Sequence, residues 1–379
     1  MDITPFFKLM ADRGASDLFF SVGTPPHMKI EGATAPLNQG DLTPQEMSEI
    51  AASIMSDAQR KEFEANLELN MAVSMPGIGR FRVNIFRQRG ETAMVVRYIK
   101  NHIPSLEELQ LPEILKTISQ ELRGLVLVVG ATSSGKSTTL AAMIDNRNAT
   151  MSGHILTIED PIEYLHHHKK SVVDQREVGF DTHSYDNALI NAMREAPDVI
   201  LIGEVRERAT MKHAIAYSET GHLCLTTLHA NNANQAMDRI VNFFPEDAKQ
   251  QVLMDLSLNL RAIVSLRLIP GISCQRIPAV EVLLNTPYIS DLIEKGKVEE
   301  IKEVMGRSRE QGMQTFDQAL FDLYKAGKIT KDNAIRYADS RNNVGLQIRL
   351  TEEGKPAKDE KPVEEEKLQI QSDDGITRF

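Results

Sequence analysis

Between Gly130 and Ser137 the chain reads Gly-Ala-Thr-Ser-Ser-Gly-Lys-Ser, a spacing of glycines, lysine and hydroxyl that binds the phosphates of a nucleoside triphosphate. Gly130 and Gly135 let the backbone turn its N–H groups inward across Ala131, Thr132, Ser133 and Ser134. Lys136 is placed to reach the β and γ phosphates and the Ser137 hydroxyl to ligate Mg²⁺, with Thr138 completing the phosphate-binding set. ATP and Mg²⁺ are therefore the expected cofactors. Phosphoryl transfer asks a protein for positioning and charge neutralisation more than for covalent chemistry. The next residues to seek are acids that hold the metal and the attacking water.

Asp198-Val-Ile-Leu-Ile-Gly-Glu204 supplies one at the end of an apolar strand, in the Walker B form. Glu204 is the candidate general base and a candidate Mg²⁺ contact, direct or through water. Ile158-Glu159-Asp160-Pro161-Ile162-Glu163 offers more carboxylates after another apolar run, where Pro161 stops ladder pairing and sends the chain outward. Glu159 and Glu163 are the candidates here: Glu159 for the nucleotide and Mg²⁺, Glu163 for catalysis. Spacing does not choose which of them approaches the metal. His222 and His229 flank Leu223-Cys-Leu-Thr-Thr-Leu228. His229 lies at the expected ligand-facing end and is the candidate sensor of the bound nucleotide, with His222 as a second nucleotide contact. The run His166-His167-His168-Lys169-Lys170 has no Cys or acid at ligand spacing, and reads as a solvated loop.

These residues need a frame. Apolar runs at Leu125–Val129, Ile155–Ile158, Val199–Ile202 and Leu223–Leu228 alternate with longer helical stretches, the signature of a parallel sheet covered on both faces. Each run ends in polar chemistry, and ligands of open α/β sheets bind beyond the carboxyl ends of the strands, so the four ends should converge. Upstream, Thr43-Pro-Gln-Glu46 is a capping box opening a helix expected from Pro44 to near Leu67. Short β-like pieces surround it at Leu18–Val22, Met28–Ile30, Asn70–Met75, Arg80–Phe86 and Thr92–Ile99. On one of these, Arg80, Arg82 and Asn84 alternate with Phe81, Val83 and Ile85, so the polar set shares a face, and Arg97 sits on the next strand. A phosphate loop without an obvious arginine finger commonly receives one from elsewhere, and these arginines are candidates to act across a subunit boundary. Beyond Pro278 the pattern turns helical, with segments at Ser290–Lys295, Glu299–Met305, Phe316–Ala326 and Asn333–Ser340. The expected fold class is thus α/β, with residues 1–100 a small α+β domain, 101–122 a linker with one helix, 123–277 the nucleotide core and 278–350 a small helical region.

The net charge of −10 is concentrated at the end of the chain, where Thr351 to Asp374 alone carries nine acids and four bases. Residues 351–379 read as a disordered acidic tail. The remaining mildly acidic body argues against non-specific nucleic-acid binding. Two cysteines without a paired spacing suggest neither a disulfide framework nor a zinc ribbon, consistent with a cytoplasmic setting. No apolar run is long enough to span a bilayer, so membrane contact is expected only through a partner.

Four motifs in this order, Gly130–Ser137, Ile155–Glu163, Asp198–Glu204 and Gly221–His229, resemble the Walker A, Asp box, Walker B and His box of the type II/IV secretion ATPases. Gly14-Ala-Ser-Asp-Leu18 and Gly312-Met-Gln-Thr-Phe-Asp317 extend the resemblance, over about residues 1–345, to the type IV pilus retraction ATPases, the PilT and PilU group. The resemblance implies a PAS-like N-terminal domain, a RecA-like P-loop ATPase domain and a homo-hexameric ring. It also implies ATP-driven pilus disassembly and twitching motility, with the ring peripheral to the inner membrane beneath a pilus platform protein. On the same analogy Arg82 and Arg97 reach a nucleotide across the ring. Assembly ATPases of the superfamily carry a tetracysteine zinc module and a longer N-terminal extension, both missing here, which favours retraction over extension. Two departures stand out. The family's Asp-Leu-His is Asp17-Leu18-Phe19, and its helical Ala-Ile-Arg-Asn-Leu-Ile-Arg-Glu is Tyr288-Ile-Ser-Asp-Leu-Ile-Glu-Lys295. With the acidic tail, the second resembles the PilU branch, accessory ATPases acting beside a PilT-type retraction ATPase. The competing classes are a RecA-like nucleic-acid translocase and a nucleotide-binding scaffold with little hydrolysis of its own.

Overall fold

The computed structural model describes residues 3–30, 32–99, 102–273 and 275–353. The acidic tail lies, from residue 354 on, outside them.

The N-terminal part is built on an antiparallel sheet of β1 (Asp17–Phe20), β2 (His27–Ile30), β3 (Ala33–Pro36), β4 (Glu68–Met75), β5 (Gly79–Gln88) and β6 (Glu91–Ile99), in the order β3-β2-β1-β6-β5-β4. On β5 the side chains of Phe81, Val83 and Ile85 are buried, while Arg80, Arg82 and Asn84 take the other face, as strand alternation requires. A helix, Thr4–Arg13, covers the apolar face: Phe7 stacks on Phe81 with ring centroids 4.3 Å apart. The single helix expected from Pro44 to Leu67 is two, Pro44–Ile54 and Asp57–Asn66. The break has a local cause, because Ser56 and Gln59 form a second capping box that restarts the helix after Met55.

The second sheet has seven strands: β7 (Gly124–Gly130), β8 (Gly153–Glu159), β9 (Ser171–Glu177), β10 (Val199–Ile202), β11 (Leu223–Leu228), β12 (Leu260–Pro270) and β13 (Arg276–Leu284). Their order is β13-β12-β7-β11-β10-β8-β9, parallel throughout except for β13. All of β7 is buried, and its residues alternate between two cores. Leu125, Leu127 and Val129 pack on one side, and Val126 and Val128 on the other with the helix Lys136–Thr150. That double burial is why the strand reads as a continuous apolar run. Arg147 of the same helix, itself buried, donates to the carbonyls of Ser119 and Glu121 and so fixes the segment leading into β7.

Strands β9, β12 and β13 are absent from the sequence expectation. The boundary expected at residues 277 and 278 falls inside β13, and the chain beyond Pro278 is not yet helical. The strand tolerates Pro278 because β13 is the outer strand of its sheet, where a proline can face away from the ladder. Helices then follow at Pro287–Glu294, Val298–Arg307, Phe316–Lys325, Lys331–Arg336 and Arg341–Glu353, the last three packing with Ile269, Ile277 and Ala279 in a small separate core.

Candidate active site

The phosphate loop is formed where β7 hands over to the helix Lys136–Thr150. Gly130 (φ 158°) admits no side chain: a Cβ there would lie 2.3 Å from Ser134 Oγ and 2.7 Å from the Leu266 carbonyl oxygen. Gly135 (φ 95°) is the left-handed residue that starts the helix, and Ser133 also has a left-handed φ of 61°. The first amides of that helix, with no side-chain cap, point toward the loop and give an anion its donors.

Lys136 is buried, and its Nζ donates to the carbonyls of Gly130 and Ala131, both at 3.0 Å. Burial lowers its pKa, and the charge of Glu204 works against that. His229, just past β11, stands between the two: Nδ1 is 3.4 Å from Lys136 Nζ and Nε2 is 2.9 Å from Glu204 Oε1. A neutral ring protonated at Nε2 satisfies both contacts, accepting from the lysine and donating to the carboxylate.

The remaining oxygen of Glu204 is taken by Arg206, with Nη2 at 2.8 Å and Nε at 2.9 Å. Arg206 Nη1 also lies 3.9 Å from Asp160 Oδ2. Arg206 is absent from the sequence expectation. Its signal was a cation two residues beyond a strand-end acid, on the same side of the chain. Register places Gly203 beside Glu159, whose Cα would be 3.2 Å from a Cβ at that glycine. Glu159 Oε1 accepts from Thr157 Oγ1 at 2.8 Å and from Gln175 Nε2 at 3.2 Å. Burial pushes its pKa up to about 7, and these hydrogen bonds pull against the rise. Thr138 in the first helical turn meets the Tyr164 hydroxyl at 3.0 Å. The strand order puts the ends bearing the loop, His229, Glu204 and Glu159 side by side, as β7, β11, β10 and β8.

Other expected residues are not gathered there. Glu163 is exposed on the loop after Pro161. His222 lies at the opposite end of β11 from His229, its Nδ1 at 3.0 Å from Thr220 Oγ1 and 3.2 Å from the Tyr217 carbonyl. Arg82 and Arg97 sit directly opposite each other on β5 and β6. Arg97 Nε is 2.8 Å from Asp17 Oδ1, and neither arginine bonds the phosphate loop of its own chain. Arg80 meets the second sheet instead, with Nη2 3.8 Å from the buried Glu177 of β9. Nor is the histidine tract uniformly solvated. His166 is packed well enough for burial to lower its pKa to about 4, and His168 Nδ1 accepts the Val173 N–H at 3.0 Å, because the tract leads straight into β9.

Beside the loop a cleft of about 540 Å³ is lined by Gly130, Ala131, His229, Asn231, Gln235 and Arg239 among others, large enough for a nucleotide's polar end. The loop, Lys136 and the helix amides fit a triphosphate. Among the described residues no three His, Cys, Asp or Glu side chains are gathered as a standing metal site. That is compatible with Mg²⁺, which is typically held by one or two carboxylates or hydroxyls together with substrate phosphates. Ser137, Glu204 and Glu159 are the groups that would hold it there.

A parallel sheet with this loop at the end of a central strand, and with an acid and a histidine at the ends of its neighbours, defines a RecA-like P-loop ATPase behind an N-terminal α+β domain. The chain belongs to the family of type II/IV secretion system proteins, which matches residues 10–346, and within it to the PilT/PilU group of type IV pilus ATPases. It is 55% identical to the type IV pilus ATPase PilU of Pseudomonas aeruginosa, over 93% of each chain. To the retraction ATPase PilT of the same organism it is 43% identical, over 88% of this chain and 97% of PilT. A crystal structure of the pilus retraction motor PilT with bound ADP superposes with a TM-score of 0.84 at 41% identity, covering 90% of this chain and 98% of that one. The protein is accordingly an ATP hydrolase of the pilus retraction group. Among the described residues no helix is long and apolar enough to cross a membrane.

Proposed function

We propose that this chain forms a homo-hexameric ring at the inner-membrane base of a type IV pilus and turns over Mg-ATP to withdraw the fibre, beside a PilT-type ATPase and against a platform protein in the membrane. The observation that carries the catalytic part is the bridge Lys136–His229–Glu204, which links the phosphate-binding lysine to the acid through one imidazole.

In this reading Lys136 neutralises the β and γ phosphates, and Ser137 with Glu204 or Glu159 holds Mg²⁺, which when bound offsets charge on the transferring phosphoryl group. Glu204 orients and deprotonates the attacking water, and His229 reports whether the γ phosphate is present to the strand on which it sits. Glu163, exposed on its loop, and Arg82 and Arg97, on the exposed face of the first sheet, complete the site from a neighbouring subunit or on closure. Arg97 must leave Asp17 to do so. His222 has no part in a site within one chain.

An accessory role is favoured by the helix Pro287–Glu294, which stands where the family's helical motif falls and presents Tyr288 to solvent. The test is twitching motility in cells whose only copy of this protein carries Glu204→Gln, with the partner ATPase intact. Loss of force or speed is expected. Full retraction would mean that the chain serves as a scaffold.

A further inference from the structure

Asn231 to Ala233 join the His229 end of β11 to the helix Ala233–Asn242, and two charged residues from β12 and β13 grip this short connection. Glu281 on β13, only 1% exposed, accepts the Ala233 N–H at 2.8 Å and the Ser265 hydroxyl at 3.0 Å through the same oxygen. Arg267 on β12 donates to the Asn231 carbonyl at 3.2 Å. Its other contacts run to the C-terminal helices. It donates to the Tyr337 carbonyl at 2.9 Å, pairs with Asp339 at 2.6 Å, and lies over the Phe316 ring at 3.8 Å from the centroid. Asp339 is held from its other side by Lys302 at 2.6 Å, and its own N–H is taken by Asp317.

A buried carboxylate is a costly means of satisfying one helix amide, and the usual cap is already in place, since Asn232 Oδ1 accepts the Gln235 N–H at 2.9 Å. What Glu281 adds is a fixed position for the connection itself, which lines the cleft through Asn231 and begins at His229. Arg267 fixes the same connection from a second direction and shares its charge with the C-terminal helices.

We propose that Glu281 and Arg267 are positioning residues for ATP turnover, and that Arg267 ties the connection carrying His229 to the C-terminal helices. This rests on the reading of His229 given above. Neither residue touches the reacting atoms. Both set where the imidazole stands between Lys136 and Glu204, and a displacement of about 1 Å there is enough to slow phosphoryl transfer by one or two orders of magnitude.

The test measures kcat and KM for Mg-ATP, melting temperature and ring size on the full chain, for Glu281→Ala, Glu281→Gln, Arg267→Lys and His229→Asn. Gln at 281 keeps an oxygen that accepts both bonds, and Lys at 267 keeps the charge facing Asp339 but has a single nitrogen where Arg267 uses Nη1 for the Tyr337 carbonyl and Nη2 for the Asn231 carbonyl. Expected are kcat losses of about tenfold or more in Glu281→Ala and Arg267→Lys at unchanged ring size, with KM little altered and recovery in Glu281→Gln to within about twofold. Wild-type kcat and KM in folded Glu281→Ala and Arg267→Lys overturn the inference, as does a loss that merely follows melting temperature in every variant. If Glu281→Ala does not fold, Arg267→Lys decides alone. Wild-type turnover in His229→Asn would instead sink the underlying reading of the site. A slow His229→Asn beside normal Glu281 and Arg267 variants sinks only this one.

Discussion

His229 Nε2 lies 2.9 Å from Glu204 Oε1, so the residues closing two neighbouring strands, β11 and β10, act on the same proton. Replacing His229 with Ala removes the donor that orients the carboxylate and leaves Lys136 without its imidazole partner. We expect kcat to fall by about tenfold or more, with ADP affinity within about threefold of wild type, because the phosphate loop itself is untouched. Steady-state hydrolysis beside fluorescent-ADP titration separates the two.

The glycines of the loop are predicted to differ. Ala at 130 meets Ser134 Oγ, which can rotate away, but also the Leu266 carbonyl at 2.7 Å, which belongs to a sheet strand and cannot. Ala at 135 meets nothing within 4 Å and bears only the strain of a left-handed φ of 95°. Gly130→Ala should lower unfolding free energy by on the order of 2 kcal/mol or more, and Gly135→Ala by about 1 to 2 kcal/mol. Urea midpoints would check the order, and a larger loss at 135 would show that the contact with β12 is not limiting.

Two partly buried groups pull stability in opposite directions across mildly acidic pH. Glu159, raised to about 7, stabilises the fold below its unfolded pKa and loses that contribution as pH climbs toward 7. His166, lowered to about 4, does the reverse: its contribution is complete above its unfolded pKa and is lost as pH falls toward 4. Each amounts to on the order of 3 kcal/mol and they largely cancel between about pH 4.5 and 6.5. Relative to wild type, Glu159→Gln should therefore gain stability on going from pH 5 to 7, and His166→Asn on going from pH 6.5 to 4.5. Chemical denaturation at three pH values tests both signs.

If Arg82 and Arg97 act across the ring, inactive subunits should complement each other. Arg97→Ala keeps its own Glu204, and Glu204→Gln keeps its own Arg97, so a mixed ring contains some sites with both groups intact. Random mixing in equal amounts should restore about a quarter of wild-type turnover. No recovery in rings confirmed to be mixed would place the arginines on their own chain's nucleotide or away from catalysis.

Much of the site was legible because its chemistry is local. The loop, Glu204 and His229 each close an apolar strand, and parallel strands deliver their ends to one edge. The residues that hold them were not. Glu281 and Arg267 act through contacts made only after folding; Glu281 and Ala233, for example, are far apart in sequence and meet across the sheet. Strand β9 was hidden by the polar residues Asp174, Gln175 and Arg176 on a strand at the sheet's edge, and β13 by Pro278, which an outer strand tolerates. His222 was misleading for the opposite reason: it is close to His229 in sequence, yet six strand residues place it about 20 Å away.

The most direct measurement is phosphate release from Mg-ATP by the purified full chain over a range of protein concentrations, with Glu204→Gln alongside. A rate per subunit that rises with concentration to a plateau, and falls by about a hundredfold or more in the variant, is the predicted result. A rate that Glu204→Gln leaves unchanged would contradict the assignment of catalysis to this site.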